Sequence, residues 1–169
     1  MTSEPILYSE KLSSKKTQLL FIALSLLFML LTVWRVIASG VNTLAGVLFF
    51  FSAFFLFYVI NFRTLLIQLS SNALRLKFGI FHWTVPLNNI SACLPDDDLP
   101  WLMKYGGAGI HFMMVRNRYR ASFNFLEYPR VVIHLEEKFG WVRDISFSTR
   151  NPDELIRQIQ NAITSDSPA

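Results

Sequence analysis

Three arginines at alternate positions are the side chains in this sequence whose spacing most directly suggests a binding chemistry. They are Arg116, Arg118 and Arg120, in the segment VRNRYRA. Residues two apart on a β-strand point to one face, so their guanidinium groups would form a basic surface. With Arg75 and Lys77 they could bind anionic lipid headgroups, at about 1 kcal/mol per basic residue near a membrane surface. The alternative is a solvated strand face, which the near balance of acidic and basic residues favours.

A second group is the run of three aspartates, Asp96 to Asp98, in DDDLPW. Adjacent carboxylates can bind Ca²⁺ or Mg²⁺, but dedicated loops space their ligands at alternate positions and include a turn glycine. DDDLPW lacks that pattern, so a solvated acidic loop is expected and neither a metal nor a cofactor is predicted. An enzyme that acts on a lipid- or metal-linked substrate through these aspartates and a histidine remains a remote alternative.

The histidines and the single cysteine give no catalytic pattern. His82, His111 and His134 are far apart and alternate with apolar neighbours, so each is expected to be exposed or hydrogen-bonded rather than a zinc ligand. Cys93 excludes an intrachain disulfide and is expected to be a small buried side chain. The glycine run at 106–109 lacks the helix and lysine that a phosphate-binding loop needs. No catalytic residue is predicted, and the protein is not expected to be an enzyme.

Large apolar side chains interrupt the loop signals of residues 91–109. The three most prominent are Trp101, Leu102 and Tyr105. They could belong to a loop folded over the open end of a sheet. Alternatively they form a lobe that contacts a partner or lipid, because exposed apolar clusters mark interfaces. They are the predicted partner-binding residues.

Two apolar runs, 19–38 and 41–60, lie before all of these groups and follow a short N-terminal segment, residues 1–18, which is expected to be cytoplasmic. Each run has 20 residues, and Arg35 is the only charge in either of them. Helices of that length cross about 30 Å of hydrocarbon, and Ser39 and Gly40 would turn the chain between them. The sequence therefore predicts a transmembrane helical hairpin, with Arg35 reaching to the interface. A cleaved signal peptide fits poorly because the first run is too long and a second run follows at once.

The basic residues flanking the hairpin predict its orientation. Lys11, Lys15 and Lys16 precede the first run and Arg63 follows the second. Cytoplasmic flanks carry the excess of Lys and Arg, so both termini are expected to face the cytoplasm.

Residues 61–164 read as a cytoplasmic domain, followed by a tail at 165–169. About seven short strand patterns run from Thr64 to Phe147, with EEKFG (136–140) as a hairpin loop. No strand–helix–strand alternation is present, so an antiparallel sandwich or partial barrel is expected. NPDELIRQIQNAI then predicts a C-terminal amphipathic helix, with Asn151 as its N-cap. Residues 61–169 carry a charge of only about +2, which argues against nucleic-acid binding.

This organisation resembles the membrane-anchored bacterial pleckstrin-homology-like (PH-like) proteins. The resemblance covers residues 19–164 and rests on two loose motifs. The first comprises Phe78, Gly79, Val85, Pro86, Leu87 and Ile90. The second comprises Ser148, Asn151, Pro152, Glu154, Leu155, Ile156 and Ile159.

The resemblance implies an α+β protein: a transmembrane hairpin followed by a seven-stranded PH-like sandwich capped by a C-terminal helix. It implies no enzymatic activity. The expected function is that of a scaffold at the cytoplasmic face of the bacterial inner membrane, where the PH-like module binds a protein partner or assembles with itself. Binding of anionic lipid through the arginines is the alternative.

Overall fold

The computed structural model of the chain describes residues 5–97 and 109–166, and in them nine strands and three helices. The helices are α1 (Lys15–Ser39), α2 (Thr43–Asn61) and α3 (Pro152–Asp166), and a 3₁₀ turn covers Leu87–Asn89. The strands before the undescribed segment are β1 (Ile6–Leu12), β2 (Leu65–Ser70), β3 (Ala73–Phe78), β4 (Phe81–Pro86) and β5 (Ile90–Pro95). Those after it are β6 (Gly109–Val115), β7 (Arg118–Asn124), β8 (Arg130–Phe139) and β9 (Val142–Ser148). The chain is therefore an α+β protein with two apolar helices near its N-terminus, as the sequence predicts.

The strands form two sheets. Sheet A has the order β1-β2-β3-β4 and is antiparallel throughout. Sheet B has the order β5-β8-β9-β7-β6, and its β7 and β9 are parallel. The prediction of a purely antiparallel sheet is therefore wrong. The reason is that β9 returns from β8 to lie between β8 and β7, rather than on the outer side of β8.

Two strands lie where the sequence pattern gave no strand signal. β1 occupies part of the predicted N-terminal segment, and its inward positions include the polar Tyr8 and Glu10, which hide the apolar alternation. β5 lies in the stretch that begins the predicted loop 91–109. The predicted hairpin loop at 136–140 is also wrong, because β8 continues to Phe139 and the turn occurs at Gly140.

The core lies between the two sheets and α3. Apolar residues at alternate positions of the strands fill it, including Leu65, Ile67, Phe78, Ile133 and Phe147. Helix α3 begins where Asn151 and Pro152 predict: the Leu155 N–H donates to the Asn151 carbonyl (3.0 Å). Its apolar stripe then buries Leu155, Ile159 and Ala162 against this core.

Helices α1 and α2 form an antiparallel pair. Both are long and apolar enough to cross a membrane, with mean hydropathies of 2.4 and 2.3 over 18 residues. Only 17% and 11% of those stretches are buried, unlike the core helix of a soluble domain. The Ser25 hydroxyl donates to the Ser52 carbonyl and the Ser52 hydroxyl to the Ser25 carbonyl, both at 3.0 Å. These reciprocal bonds join the two helices near the middle of their length.

Candidate functional site

The helical hairpin is inserted between two neighbouring strands of sheet A. Leu12, the last residue of β1, pairs with Leu65, the first residue of β2. The hairpin begins at Lys15 and ends at Asn61, only a few residues from this pair. The two ends of the hairpin therefore lie side by side, at the ends of two neighbouring strands of sheet A. We call the region where they meet the sheets the junction.

The first contact of the junction is at the start of α1. The Ser14 side chain caps the helix by accepting a bond from the Thr17 N–H (2.9 Å). Its hydroxyl and the Lys16 N–H both donate to Oε1 of Glu127, at 2.9 and 2.8 Å. The Lys16 N–H, and after it the Ser14 hydroxyl, lower the pKa of Glu127 below its ordinary value of 4.5. A carboxylate beside the positive end of a helix is the favourable arrangement.

Neighbours of Glu127 add two further hydrogen bonds. The Leu126 N–H donates to Oγ1 of Thr17 (3.2 Å), and the Tyr128 hydroxyl donates to the Ser13 carbonyl (3.0 Å). The loop between β7 and β8 is thereby bonded to the first turn of α1.

The second contact is at the end of α2, where the backbones of the helix and the β3–β4 turn touch. Gly79 has φ +62°, and a Cβ built there would lie 2.2 Å from the Asn61 carbonyl oxygen. Only glycine fits, because the conformation is left-handed and there is no room for a side chain. Beside this contact Phe62 is buried, with its ring 4.7 Å from Tyr58 of α2 and 5.1 Å from Phe78 of β3.

The third contact is at the start of β6. A Cβ on Gly109 (φ +92°) would lie 2.9 Å from the Tyr58 ring and 3.9 Å from the Phe21 ring. Gly109 therefore lies against both helices of the hairpin. Three separate parts of the two sheets contact the hairpin, which fixes their position relative to it.

Of the predicted headgroup-binding arginines, Arg120 is buried. Only 3% of its surface is exposed, and its Nη1 forms an ion pair with Asp96. Its Nη2 lies 3.7 Å from Oδ2 of Asp144. The expectation that this side chain lies on an exposed face is wrong, and so is the expectation that Asp96 is solvated. Arg120 and Asp96 can both be buried because each compensates the charge of the other.

Arg118 and His134 lie at the border of this buried cluster, with side chains 36% and 26% exposed. Arg118 Nε donates to Oδ1 of Asp144 (2.7 Å), and Nδ1 of His134 lies 2.8 Å from the same oxygen. The Ser146 hydroxyl donates to Oδ2 of Asp96 (2.5 Å). Spacing along β7 correctly put Arg118 and Arg120 on one face, but that face carries their acidic partners from β9 and from the end of β5.

Arg116 lies apart from these two. It and Asn117 form the β6–β7 turn, with φ values of 48° and 65°. This turn begins seven residues after Gly109, or about 24 Å away at about 3.4 Å per residue. The three arginines are therefore not one basic surface at the hairpin.

Other predicted residues fall in three groups. Trp101, Leu102, Tyr105 and Asp98 lie outside the described residues, and their roles remain predictions. Cys93 is buried, as predicted, and burial raises the pKa of its thiol to about 12. Within 5–97 and 109–166, no three His, Cys, Asp or Glu side chains are grouped as metal ligands would be.

Arg75 and Lys77 lie on the outward face of sheet A. The strand registers align Lys11, Leu66, Lys77 and His82 across all four strands. Lys11, Lys77 and His82 are exposed, and we call these three residues the basic row. It is the outward row next to the Leu12–Leu65 pair, and so lies beside the junction. Sequence reasoning missed Lys11 as part of it because β1 was missed.

Charge is divided unevenly along the chain. Residues 11–95 contain seven Lys or Arg and no Asp or Glu, whereas the rest of the chain has nine Lys or Arg against all twelve Asp and Glu. The uncompensated positive charge thus belongs to the hairpin, its flanks and sheet A. Mixed charge belongs to sheet B and α3.

Comparison with known proteins gave no match: no family model, no curated protein and no solved structure matches this chain.

Proposed function

We propose that this chain is a non-enzymatic, two-span membrane protein that holds a PH-like module against the cytoplasmic face of the bacterial inner membrane. The module acts as a scaffold that binds a protein partner or a second copy of the chain. The observation that carries the proposal is the insertion of the hairpin between β1 and β2, with its three contacts to the sheets. The two sheets and the C-terminal helix support the PH-like assignment.

The exposed surface of the hairpin, which consists mainly of large apolar side chains, supports the membrane location. Leu30, Phe50 and Ile60 are each more than 60% exposed, on helices whose outward surface is apolar. The backbone of each span is satisfied within its own helix, as hydrocarbon requires. Most polar groups of the spans are satisfied as well, including Ser25 and Ser52.

The pairing of Leu12 with Leu65 supports the orientation. Because those residues flank the hairpin, both ends of it must lie on one side of the membrane. The exposed flanking cations Lys15, Lys16 and Arg63 make that side the cytoplasmic one.

An exposed strand edge supports protein binding. Among the described strands, β6 is the last of sheet B and pairs only with β7. Two of its apolar side chains, Phe112 and Met114, are 51% and 67% exposed. An unpaired edge with such side chains can accept a strand from another chain, which uses main-chain bonds for affinity and side chains for specificity.

The buried cluster supports the absence of catalysis. The Ser146 hydroxyl donates a hydrogen bond to Asp96, and Nδ1 of His134 is hydrogen-bonded to Asp144. Ser146 and Asp144 are 0% and 1% exposed, so a substrate has no access to them in this structure.

The test places a photo-crosslinking residue at Phe112 or at Met114 of the full chain in cells, with Lys138 as the control position. Protein adducts at the two β6 positions, lost when Met114→Lys is added to the Phe112 probe, would support the proposal. Absence of adducts at both β6 positions, together with a monodisperse monomer in mild detergent, would overturn it.

A further inference from the structure

We propose that the basic row, together with Arg63, binds the phosphates of anionic lipids in the leaflet that faces the sheets. This inference rests on the proposed membrane location. It assigns lipid contact to Lys11, Lys77 and His82 of sheet A, and not to the arginines of β7.

The strand register brings the basic row together from three strands. Lys77 pairs directly with His82, and Leu66 separates Lys77 from Lys11. Neighbouring strands are about 4.8 Å apart, so the row is about 15 Å wide. That width exceeds one phosphate group and suits several adjacent headgroups. An open row of this kind fits a lipid surface better than it fits a single soluble anion.

The position of the row relative to the hairpin sets its distance from the bilayer. Lys11 is four residues before the start of α1, and Lys77 is two residues before Gly79, which touches the last residue of α2. Arg63 follows that helix directly and is exposed. All these cations therefore lie next to the end of the apolar helices, where headgroups are found.

Exposed apolar side chains lie beside the basic row, at the end of sheet A that faces the hairpin. Ile80 and Phe81, in and after the β3–β4 turn, are 59% and 44% exposed. The Phe81 ring stacks on Phe62 at 5.9 Å, next to the end of α2. Apolar groups that can enter the interface, beside cations that stay in the headgroup layer, are the usual pattern of a membrane-contacting surface.

No acidic side chain opposes these cations on the outward face of sheet A as the structure describes it. The nearest in sequence, Glu10, points to the other face of β1. There it accepts bonds from the Thr149 hydroxyl (2.6 Å) and the Arg150 N–H (2.9 Å). Within sheet A, no carboxylate therefore offsets the positive charge of the row.

The test uses the purified full chain in bilayers, with trace spin-labelled phosphatidylglycerol or phosphatidylcholine. The motionally restricted fraction of each label reports lipid bound at the protein surface. We expect the anionic label to associate several-fold more strongly at low salt, and this preference to fall in high salt. Lys11→Gln with Lys77→Gln should remove most of this preference, because a basic residue near the surface is worth up to about fivefold.

Lys138→Gln is the matched control, because Lys138 is exposed near the far end of β8. It should leave the preference unchanged. Equal association of the two labels with the native chain would overturn the inference, and so would a preference that survives in the double variant with an unchanged unfolding midpoint. Loss of the preference when inorganic phosphate replaces chloride at equal ionic strength would overturn it in favour of a soluble-anion site.

The same experiment separates this inference from the proposed function. Transmembrane helices immobilise lipid of any charge, so a restricted fraction without selectivity would reject only the basic row. Absence of a restricted fraction for both labels would reject the membrane location itself.

Discussion

Gly79 and Asn61 touch through their backbones, and this contact joins the β3–β4 turn to the end of α2. No side chain takes part in it. The position of the sheets relative to the hairpin therefore depends on a residue whose only contribution is the absence of a Cβ.

Gly79→Ala should destabilise the protein more than Gly140→Ala. Both glycines have φ +62°, so both alanines incur the left-handed cost of roughly 1–2 kcal/mol. Only at position 79 would the new Cβ meet a neighbour, the Asn61 carbonyl, whereas Gly140 has open space. Overpacking should add about 1–3 kcal/mol. Denaturant unfolding of the full chain in mild detergent measures the difference, and equal losses would show that the contact does not matter.

Arg120→Met should be among the most destabilising single substitutions outside the hairpin. It leaves the carboxylate of Asp96 buried without the cation that pairs with it, and it removes the second of the two arginines beside Asp144. Removing one partner of a buried ion pair costs about 3–5 kcal/mol. The exposed Arg143, on β9, offers the control: Arg143→Ala should change the unfolding free energy by less than about 0.5 kcal/mol. A loss for Arg120→Met as small as for the control would contradict the buried cluster.

Glu127 should make stability depend on pH in the acid range. Its folded pKa lies below 4.5 because the Lys16 N–H and the Ser14 hydroxyl bond the ionised form. A depressed carboxylate pKa stabilises the fold above the unfolded pKa, and that contribution is lost as the pH falls through the folded value. In Glu127→Gln, the unfolding midpoint should therefore decrease less than in the native protein as the pH is lowered below 4.5. The control Glu136→Gln, at an exposed position of β8, should show the same decrease of the midpoint with pH as the native protein.

Cys93 should not react with maleimide in the native protein at neutral pH. The side chain is fully buried, and burial raises the pKa of the thiol to about 12, so almost no thiolate forms. Labelling should become complete after unfolding. Ser91→Cys, at an exposed position of the same strand, should react at once in the native state and serves as the control. Rapid native labelling of Cys93 would place β5 elsewhere.

The features that the sequence predicted correctly are those whose signal is local. The apolar runs define α1 and α2, and Asn151 with Pro152 marks the start of α3. Each of these signals comes from residues that are close together in the sequence, within a single helix or a single turn. The alternating strands β2, β3 and β4 were identified for the same reason.

The features that the sequence did not predict depend on distant residues. Arg120 is buried because Asp96 and Asp144, each 24 positions away, compensate its charge. The spacing of the arginines along β7 carries no information about those partners. β1 was missed because the polar Glu10 occupies an inward position. Its carboxylate accepts hydrogen bonds there from Thr149 and Arg150, near the other end of the chain.

The insertion of the hairpin between β1 and β2 also imposes an order on biogenesis. Leu12 leaves the ribosome about 50 residues before its partner Leu65, and both apolar helices are made between them. At 5–20 residues per second this delay is roughly 3–10 s. Sheet A cannot be completed until the hairpin has been synthesised. On the proposed membrane location, both apolar helices are therefore available for insertion before β1 and β2 can pair.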